Sequence, residues 1–406
     1  MKGTTNYLTP GERVAYYRRR RGYTREVLAG LVGKTVSWLE KIESGRANLQ
    51  VLSSIAALAS ALDISPLELM PDDIVDVDDL TRGHSIPALR QRLLSYRFVN
   101  PRYLDHETEP MALVPLTGHV TRVWDGYQAS RFSYVIAELH RLLPIAVASL
   151  NAAGAGPNRE SFETQLAYVY QVASCVLGKV GEQDLAFTCA DRGDRLIQDS
   201  RDLAAKISVQ RTIAHALLSN AQYEDALAVV YHSLTSVRGS NVDARILSTT
   251  GTLHLVGAMT SARMGDRGSS RAHLDQAQRA ATRLGRDGNQ LWTAFGPTNV
   301  AIHEVAVAAE FGDYQRAVAI GEPLQVSHMP GERQVRHRLE LARALHHQHQ
   351  QRAALSIVLT AEQHAPDQVR RHFLTHALLH EWIRSKHVPA TPELHGIARR
   401  AGILAA

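Results

Sequence analysis

A short turn recurs along most of this chain of 406 residues. Related segments return roughly every 36 to 46 residues, which is inside or close to the spacing of helical-pair repeats. They occupy residues 181–186, 221–226, 264–266, 312–317 and 348–353. Apolar stretches with helical spacing flank each turn, as at 207–218 and 226–234. A unit of two short helices cannot bury its apolar face alone, so about five stacked units between residues 163 and 385 predict an α-solenoid.

A different pattern occupies residues 24–46. Thr24 is placed to cap a short helix that carries Val27, Leu28 and Leu31. Gly33 supplies a permissive turn, and Thr35 begins a second helix in which Leu39 and Ile42 form a buried pair. When the second helix of such a pair lies in a DNA major groove, its first residues meet the base edges. These residues are therefore a candidate DNA-reading element.

Positive charge is concentrated around this element. Residues 1–50 contain ten Lys or Arg and four acids, including the arginine run 18–21, whereas the remainder is close to neutral. Such a cluster can neutralise DNA phosphates without reading sequence. The alternative is a solvated helix end that the helix dipole favours.

The segment 10–69 resembles the XRE family of lambda-repressor-like helix-turn-helix domains. Its marks are Arg13 and Arg18, the opening 24–29, and the stretch 37–46, followed by Leu58–Leu62, Ile64, Leu67 and Leu69. The resemblance implies that Val36, Ser37 and Lys41 read bases. Arg25 stands where the family often has Gln, so a Gln-type base contact is in doubt there. Trp38 either covers a thymine methyl or packs against the scaffold.

The predicted DNA-binding residues extend this set to the neighbouring caps and arginines. They are Arg18, Arg21, Thr24, Arg25, Thr35, Val36, Ser37, Trp38, Lys41 and Arg46.

Composition also predicts the domain boundaries. Residues 1–70 form the DNA-binding domain, and 71–82 form an acidic linker, either solvated or folded over the basic face. Residues 83–160 form a helical connecting or capping region in which 100–115 is a loop. Residues 161–406 form the helical repeat domain. The predicted fold is all-α, a five-helix lambda-repressor-like domain followed by a TPR-like (tetratricopeptide-like) α-solenoid.

Polar residues recur on the expected concave face of the array. About thirteen residues before the turns lie Tyr168, Ser208, Thr252, Asn299 and Val335, and His303 follows Asn299 by one helical turn. Trp292 and Phe295 come just before Pro297, which suits the first turn of a helix. An amide flanked by aromatic rings can hold a ligand. The predicted ligand-binding residues are Tyr168, Ser208, Thr252, Trp292, Phe295, Asn299 and His303.

Another interpretation assigns the same residues to structure. Trp292 and Phe295 then pack a longer repeat, and Asn299 satisfies a loop backbone. The overall plan favours a ligand because it resembles quorum-sensing regulators of the Rgg, NprR, PlcR and PrgX kind, and the actinobacterial XRE regulators with long helical C-terminal regions. In the former group, the resemblance implies, a short peptide binds the concave surface and the array supplies the dimer contact. A small metabolite fits nearly as well.

Other functions find little support in the sequence. No phosphate-cradling glycine loop, nucleophile elbow or His-Glu-x-x-His pair is present, so neither an enzyme nor a cofactor is expected. His372, His376 and His380 are spaced for one helical face, but a hydrated or packed face is favoured over a metal site. The two cysteines, Cys175 and Cys189, form no Cys-x-x-Cys. No signal-peptide pattern and no run of about 18 apolar residues is found, which predicts a cytoplasmic protein without a membrane partner.

Together these observations predict a cytoplasmic transcription regulator. Its expected partners are double-stranded DNA with a two-fold operator, a second copy of the chain, and a small molecule or short peptide. The alternative is a regulator whose helical array is a protein-interaction scaffold without a small ligand. A closed polar pocket would favour the first hypothesis, and an open groove with a broad exposed patch would favour the second.

Overall fold

The computed structural model describes residues 9–47, 49, 52–62, 64, 69, 86–95, 108–237, 242–384 and 391–404. Within these ranges every regular element is a helix, as the sequence predicts. Contacts divide the chain into two compact units, Met1–Arg82 and Gly83–Ala406. The predicted acidic linker, 71–82, lies outside the described residues.

The first unit contains helices α1 (Pro10–Arg20), α2 (Arg25–Leu31), α3 (Val36–Glu43) and α4 (Leu52–Leu62). The hydroxyls of Thr24 and Thr35 accept hydrogen bonds from backbone amides and cap α2 and α3, which confirms both predicted helix starts. Of the predicted fifth helix, only Ile64 and Leu69 are described.

Buried apolar side chains hold these helices together. Leu28, Leu39 and Ile42 lie in one core, but Val27 and Leu31 are 47% and 59% exposed. The inward face of α2 therefore consists of Leu28 and Ala29 rather than the predicted set. A Cβ on Gly11 would lie 2.0 Å from the Ile42 carbonyl oxygen, so glycine at this position allows α1 to approach α3 closely.

The second unit contains sixteen described helices. They are α5 (Ile86–Leu94), α6 (Leu113–Gln128), α7 (Phe132–Ala153), α8 (Arg159–Lys179), α9 (Gln183–Ile197), α10 (Leu203–Ser219), α11 (Tyr223–Thr235), α12 (Ala244–Arg263), α13 (Arg267–Leu284), α14 (Pro297–Glu310), α15 (Tyr314–Gly321), α16 (Gly331–His347), α17 (Gln351–His364), α18 (Pro366–Arg371), α19 (Phe373–Arg384) and α20 (Pro392–Arg400).

The five predicted turns join α8 to α9, α10 to α11, α12 to α13, α14 to α15, and α16 to α17. One residue in each turn has a positive φ. These residues are Gly181, Ala221, Gly265, Gly312 and His349. The left-handed conformation ends the first helix and reverses the chain, and glycine adopts it without the steric cost of a Cβ.

A sixth pair of the same design precedes them. Helices α6 and α7 are joined by Ser130, whose φ is 60°. The pair α6 and α7 lies in the region 83–160, which the sequence assigns to connecting or capping helices. The sequence pattern did not predict this turn, because Val135 stands five residues after Ser130, where four of the five predicted turns have alanine. The predicted loop 100–115 ends at residue 112, and its residues 100–107 are outside the described ranges.

Helix α7 is long and apolar enough to cross a membrane by length and composition alone. Its Leu139, Leu143 and Ala146 side chains are fully buried in a core shared with α6 and α8. Burial of this kind is typical of a core helix.

The array turns back on itself, so that α16 contacts α6 and α18 contacts α7. Ser130 Oγ donates to Gln368 Oε1 at 2.7 Å, and the Ser133 amide donates to Asp367 at 3.0 Å. Lys179 at the end of α8 forms a 2.5 Å ion pair with Glu332 at the start of α16. The concave side of the second unit is thereby closed into a ring.

The loop between α13 and α14 crosses the inside of this ring. Trp292 stacks on Trp124 of α6 at a centroid distance of 4.9 Å and meets Tyr168 of α8 edge-on at 5.3 Å. Phe295 is fully buried against Gly251 of α12, where a Cβ would lie 2.0 Å from its ring. The loop thus packs against the inner helices of three pairs.

The turn geometry gives a stability prediction. In Gly312→Ala a Cβ is placed at φ 77° in open space, so only backbone strain is added. We expect the free energy of unfolding to fall by about 1 kcal/mol. Gly118→Ala inside α6 is the matched control and is expected to be neutral or stabilising. Equal thermal-denaturation midpoints for the two variants would contradict this account.

Candidate DNA interface and ligand cavity

One face of α3 lies open on the surface of the first unit. Thr35, Val36, Ser37 and Lys41 are exposed, while Leu39 and Ile42 on the opposite side are buried. The Thr35 hydroxyl accepts from the Trp38 amide at 3.1 Å and fixes the helix start. The predicted base-reading side chains therefore share one accessible face.

Trp38 is only partly exposed and packs against the core of the first unit. Lys34 Nζ lies 5.7 Å from its ring centroid. Of the two interpretations offered by the sequence, this geometry favours scaffold packing.

The structure corrects the role predicted for Arg18. Its side chain is buried and pairs with buried Glu43 through an Nη2–Oε2 contact of 3.0 Å, while Nη1 donates to the Tyr23 carbonyl at 2.9 Å. A guanidinium used in this way cannot also reach a phosphate. Arg18 instead ties α1 to α3.

Arg25 also pairs with Glu43, at 2.8 Å, although its side chain is 39% exposed. Burial raises the pKa of Glu43, but Arg18 and Arg25 outweigh burial and hold that pKa below its usual range. The two arginines therefore orient α3 through one carboxylate, a role that the sequence pattern did not reveal.

The remaining predicted DNA contacts are accessible. Arg21 is exposed, and its Nε donates to the Leu62 carbonyl at 2.9 Å. Arg46 is exposed beside Ser44, and Thr24 is exposed as the cap of α2.

The second unit contains a cavity of about 410 Å³ on the inner side of the ring. Helices α8, α10, α12, α14 and α16, the first members of the five pairs, supply most of its wall, as the repeat pattern predicts. Tyr127 of α6 and the segment 371–373 complete the wall. This volume is in the range of small-molecule pockets.

Three predicted ligand residues line this cavity, namely Thr252, Asn299 and His303. Asn299 is fully buried, and neither its Oδ1 nor its Nδ2 has a hydrogen-bond partner among the residues that the structure describes. A buried amide without partners is costly in an apolar setting. The Asn299 side chain therefore does not form the hydrogen bonds to a loop backbone that the alternative interpretation assigns to it.

The other four predicted ligand residues are not on the cavity. Tyr168, Trp292 and Phe295 belong to the packing of the inner loop. Ser208 is fully buried, and its hydroxyl oxygen accepts a hydrogen bond from Gln171 Nε2 at 3.0 Å. For the aromatic residues the geometry favours the packing interpretation. Trp292 stacks on Trp124 and Phe295 packs against Gly251, and both partners are distant in the sequence.

The wall of the cavity is cationic, a property that the sequence patterns did not predict. Six lining residues carry Lys or Arg side chains: Lys179, Arg211, Arg263, Arg333, Arg336 and Arg371. The available signal was charge inside otherwise apolar inner helices, such as Arg211 within the stretch 207–218.

The histidines of the wall respond to this surrounding charge. Burial lowers the pKa of His303 to about 3, and Arg333 adds to the effect. Burial followed by Lys179 lowers the pKa values of His215 and His372 well below the usual range. All three imidazoles are therefore neutral at pH 7.

The predicted histidine face is wrong in one respect. His372 has an extended backbone between α18 and α19, so it does not share a helical face with His376 and His380. His376 Nε2 contacts the Arg370 carbonyl at 2.7 Å. No group of three His, Cys, Asp or Glu residues in the described ranges is arranged to hold a metal.

Comparison with known proteins identifies part of the chain. Residues 11–70 match the family model of a helix-turn-helix domain. No curated protein matches the chain. Among solved structures, Bacillus thuringiensis PlcR in complex with the peptide PapR7 and DNA is similar at 14% identity and a TM-score of 0.31, covering 68% of this chain and 95% of that one. The chain thus carries a helix-turn-helix domain of the kind found in DNA-binding regulators.

The Arg18 assignment gives a prediction that separates structure from DNA contact. Arg18→Met leaves buried Glu43 with only the half-exposed Arg25, so the first unit should lose about 3 kcal/mol of stability. Hydrogen exchange of 10–43 would show this loss. Arg19→Met, at an exposed position, should preserve exchange protection while weakening DNA binding. Equal protection in both variants would contradict the assignment.

Buried histidines give a pH prediction. Burial lowers the pKa of His303 to about 3 and that of His254 to about 4, with His273 adding to the latter. The unfolded chain therefore binds more protons between pH 6.5 and these values, and stability falls as pH falls through that window. Each histidine contributes up to about 1.4 kcal/mol per pH unit. His303→Phe should flatten the profile of denaturation midpoint against pH, and an unchanged slope would refute this.

Proposed function

We propose that this protein is a sequence-specific DNA-binding transcription regulator. The observation that carries the proposal is the exposed face of α3 in a helix-turn-helix domain, on which Ser37 and Lys41 are directed away from the core. Such a helix meets base edges through its N-terminal residues. Exposed Arg19, Arg20 and Arg21 supply attraction to phosphate.

The proposal includes a second copy of the chain. One domain of this kind reads a half-site, and a two-fold operator places two domains on neighbouring turns of DNA. The XRE relationship, the TPR-like character of the array and action in the cytoplasm belong to this proposal. Residues 1–70 bind DNA, and the array senses an effector and supplies the dimer contact.

The cavity supports a ligand sensor over a protein-interaction scaffold. Its volume of about 410 Å³ suits a small molecule, and Asn299 offers a buried amide that has no partner among the described residues. The inner loop already covers the concave surface beside Trp124 and Tyr168, leaving less open groove for a protein partner. An effector acts by binding one arrangement of the DNA-binding domains more tightly than another.

The DNA-reading assignment is tested by the double variant Ser37→Ala, Lys41→Ala. We expect affinity for the operator to fall at least about tenfold, while affinity for unrelated DNA falls much less. Genome-wide mapping of bound DNA identifies the operator, and fluorescence anisotropy measures both affinities. Arg20→Gln is the control for general charge and should weaken both DNA types alike. If the double variant also weakens both alike, these residues do not read bases.

A further inference from the structure

The wall of the cavity is strongly unbalanced in charge. Six cationic side chains line it, and none of the lining residues is an aspartate or glutamate. The cations come from helices far apart in the sequence, from Lys179 in α8 to Arg371 in α18. Their convergence results from the closure of the array.

Nearby carboxylates neutralise only part of this charge. Buried Glu332 pairs with Lys179 at 2.5 Å and with Arg333 at 3.1 Å. Glu340 pairs with Arg336 at 2.9 Å, and Glu310 lies 4.0 Å from Arg263. These contacts account for four of the six cations.

Arg211 and Arg371 form no ion pair within the described part of the chain, and of the two only Arg211 is buried, since Arg371 is exposed. Arg211 is 8% exposed, and its Nε has no hydrogen-bond partner among the described residues. A buried guanidinium normally requires an acidic partner, because desolvation of the charge is otherwise uncompensated. No described residue supplies that partner, which leaves the Arg211 guanidinium open to a bound anion.

We propose that the cavity binds a small organic anion with at least two negative charges, carried by carboxylate or phosphate groups. This inference rests on the proposed sensing function and specifies its ligand. Planar guanidinium groups bind both kinds of oxyanion through paired hydrogen bonds. Arg211 and Arg371 hold the charged groups, and Asn299 offers an amide donor and acceptor to a neighbouring polar group.

The apolar part of the wall indicates what the uncharged part of the ligand should be. Leu255, Val256 and Met259 of α12 form an apolar strip beside the cations. A ligand with charged groups joined by an uncharged segment can contact both the cationic residues and this apolar strip. The volume of about 410 Å³ favours a metabolite over a peptide of several residues.

The electrostatic surroundings agree with this assignment. Burial lowers the pKa of Lys179, and Glu332 only partly opposes the effect. Burial also lowers the pKa of Arg211. A bound anion would relieve the cost of keeping these groups charged.

Citrate and inorganic pyrophosphate are the probes for the test, with sucrose as the neutral control. The full chain in low-chloride buffer is titrated by calorimetry, and its denaturation midpoint is recorded with each probe. We expect at least one anion to bind and to raise the midpoint by several degrees, while sucrose at the same concentration does not. Preference for citrate identifies a carboxylate ligand, and preference for pyrophosphate identifies a phosphate ligand.

Arg211→Met and the exposed Arg279→Met form a matched pair that removes one positive charge each. Arg211→Met should weaken anion binding at least about tenfold, whereas Arg279→Met should not change it. Without anion, Arg211→Met should equal or exceed the wild-type midpoint, because it removes an unpaired buried charge. A lower midpoint with unchanged anion affinity would show that Arg211 is structural and overturn the proposal. Failure of both anions to bind would also overturn it.

The same titration is repeated with operator DNA present. Anion binding that leaves DNA affinity unchanged would contradict the regulatory coupling but uphold the anion site. Intact operator binding without any anion binding would overturn the anion site and leave the DNA-reading function standing. The two failures are therefore distinguishable.

Discussion

The buried carboxylate of Glu332 joins helices that are distant in the sequence. Its side chain pairs with Lys179 of α8 and Arg333 of α16, and its backbone carbonyl accepts from Gln368 of α18 at 3.3 Å. Burial opposes its ionisation, but Arg333 and Lys179 hold its pKa well below the usual range. Together with the Ser130–Gln368 and Ser133–Asp367 hydrogen bonds, these contacts close the array and bring the cations of the cavity wall together.

Much of the fold is predictable because it is encoded locally. Helix starts at Thr24, Thr35 and Pro297, and the five recurrent turns, each follow from a few adjacent residues. The sixth turn, at Ser130, was not predicted because it lacks the alanine that follows the left-handed residue by five positions in four of the five predicted turns. Closure of the array was also unpredictable, since Ser130 and Gln368 lie far apart in the sequence.

The candidate sites were also predictable only in part, because some of their residues depend on partners that are distant in the sequence. Exposure of Ser37 and Lys41 follows from the helical period that buries Leu39 and Ile42. The role of Arg18 depends on Glu43, a partner that only tertiary structure brings near. Likewise, Asn299 was found from its repeat position, but the cations that surround it do not share one register along the repeats.

The inner loop carries a consequence for selectivity. Leu291, Trp292 and Ala294 all have positive φ, and such strain persists because stacking on Trp124 and burial of Phe295 offset it. The aromatic rings of the inner loop thus cover part of the concave surface. Without them this surface would accommodate longer ligands. The remaining cavity therefore selects ligands first by their length and then by their charge. Individual hydrogen bonds act only on ligands that already meet both conditions.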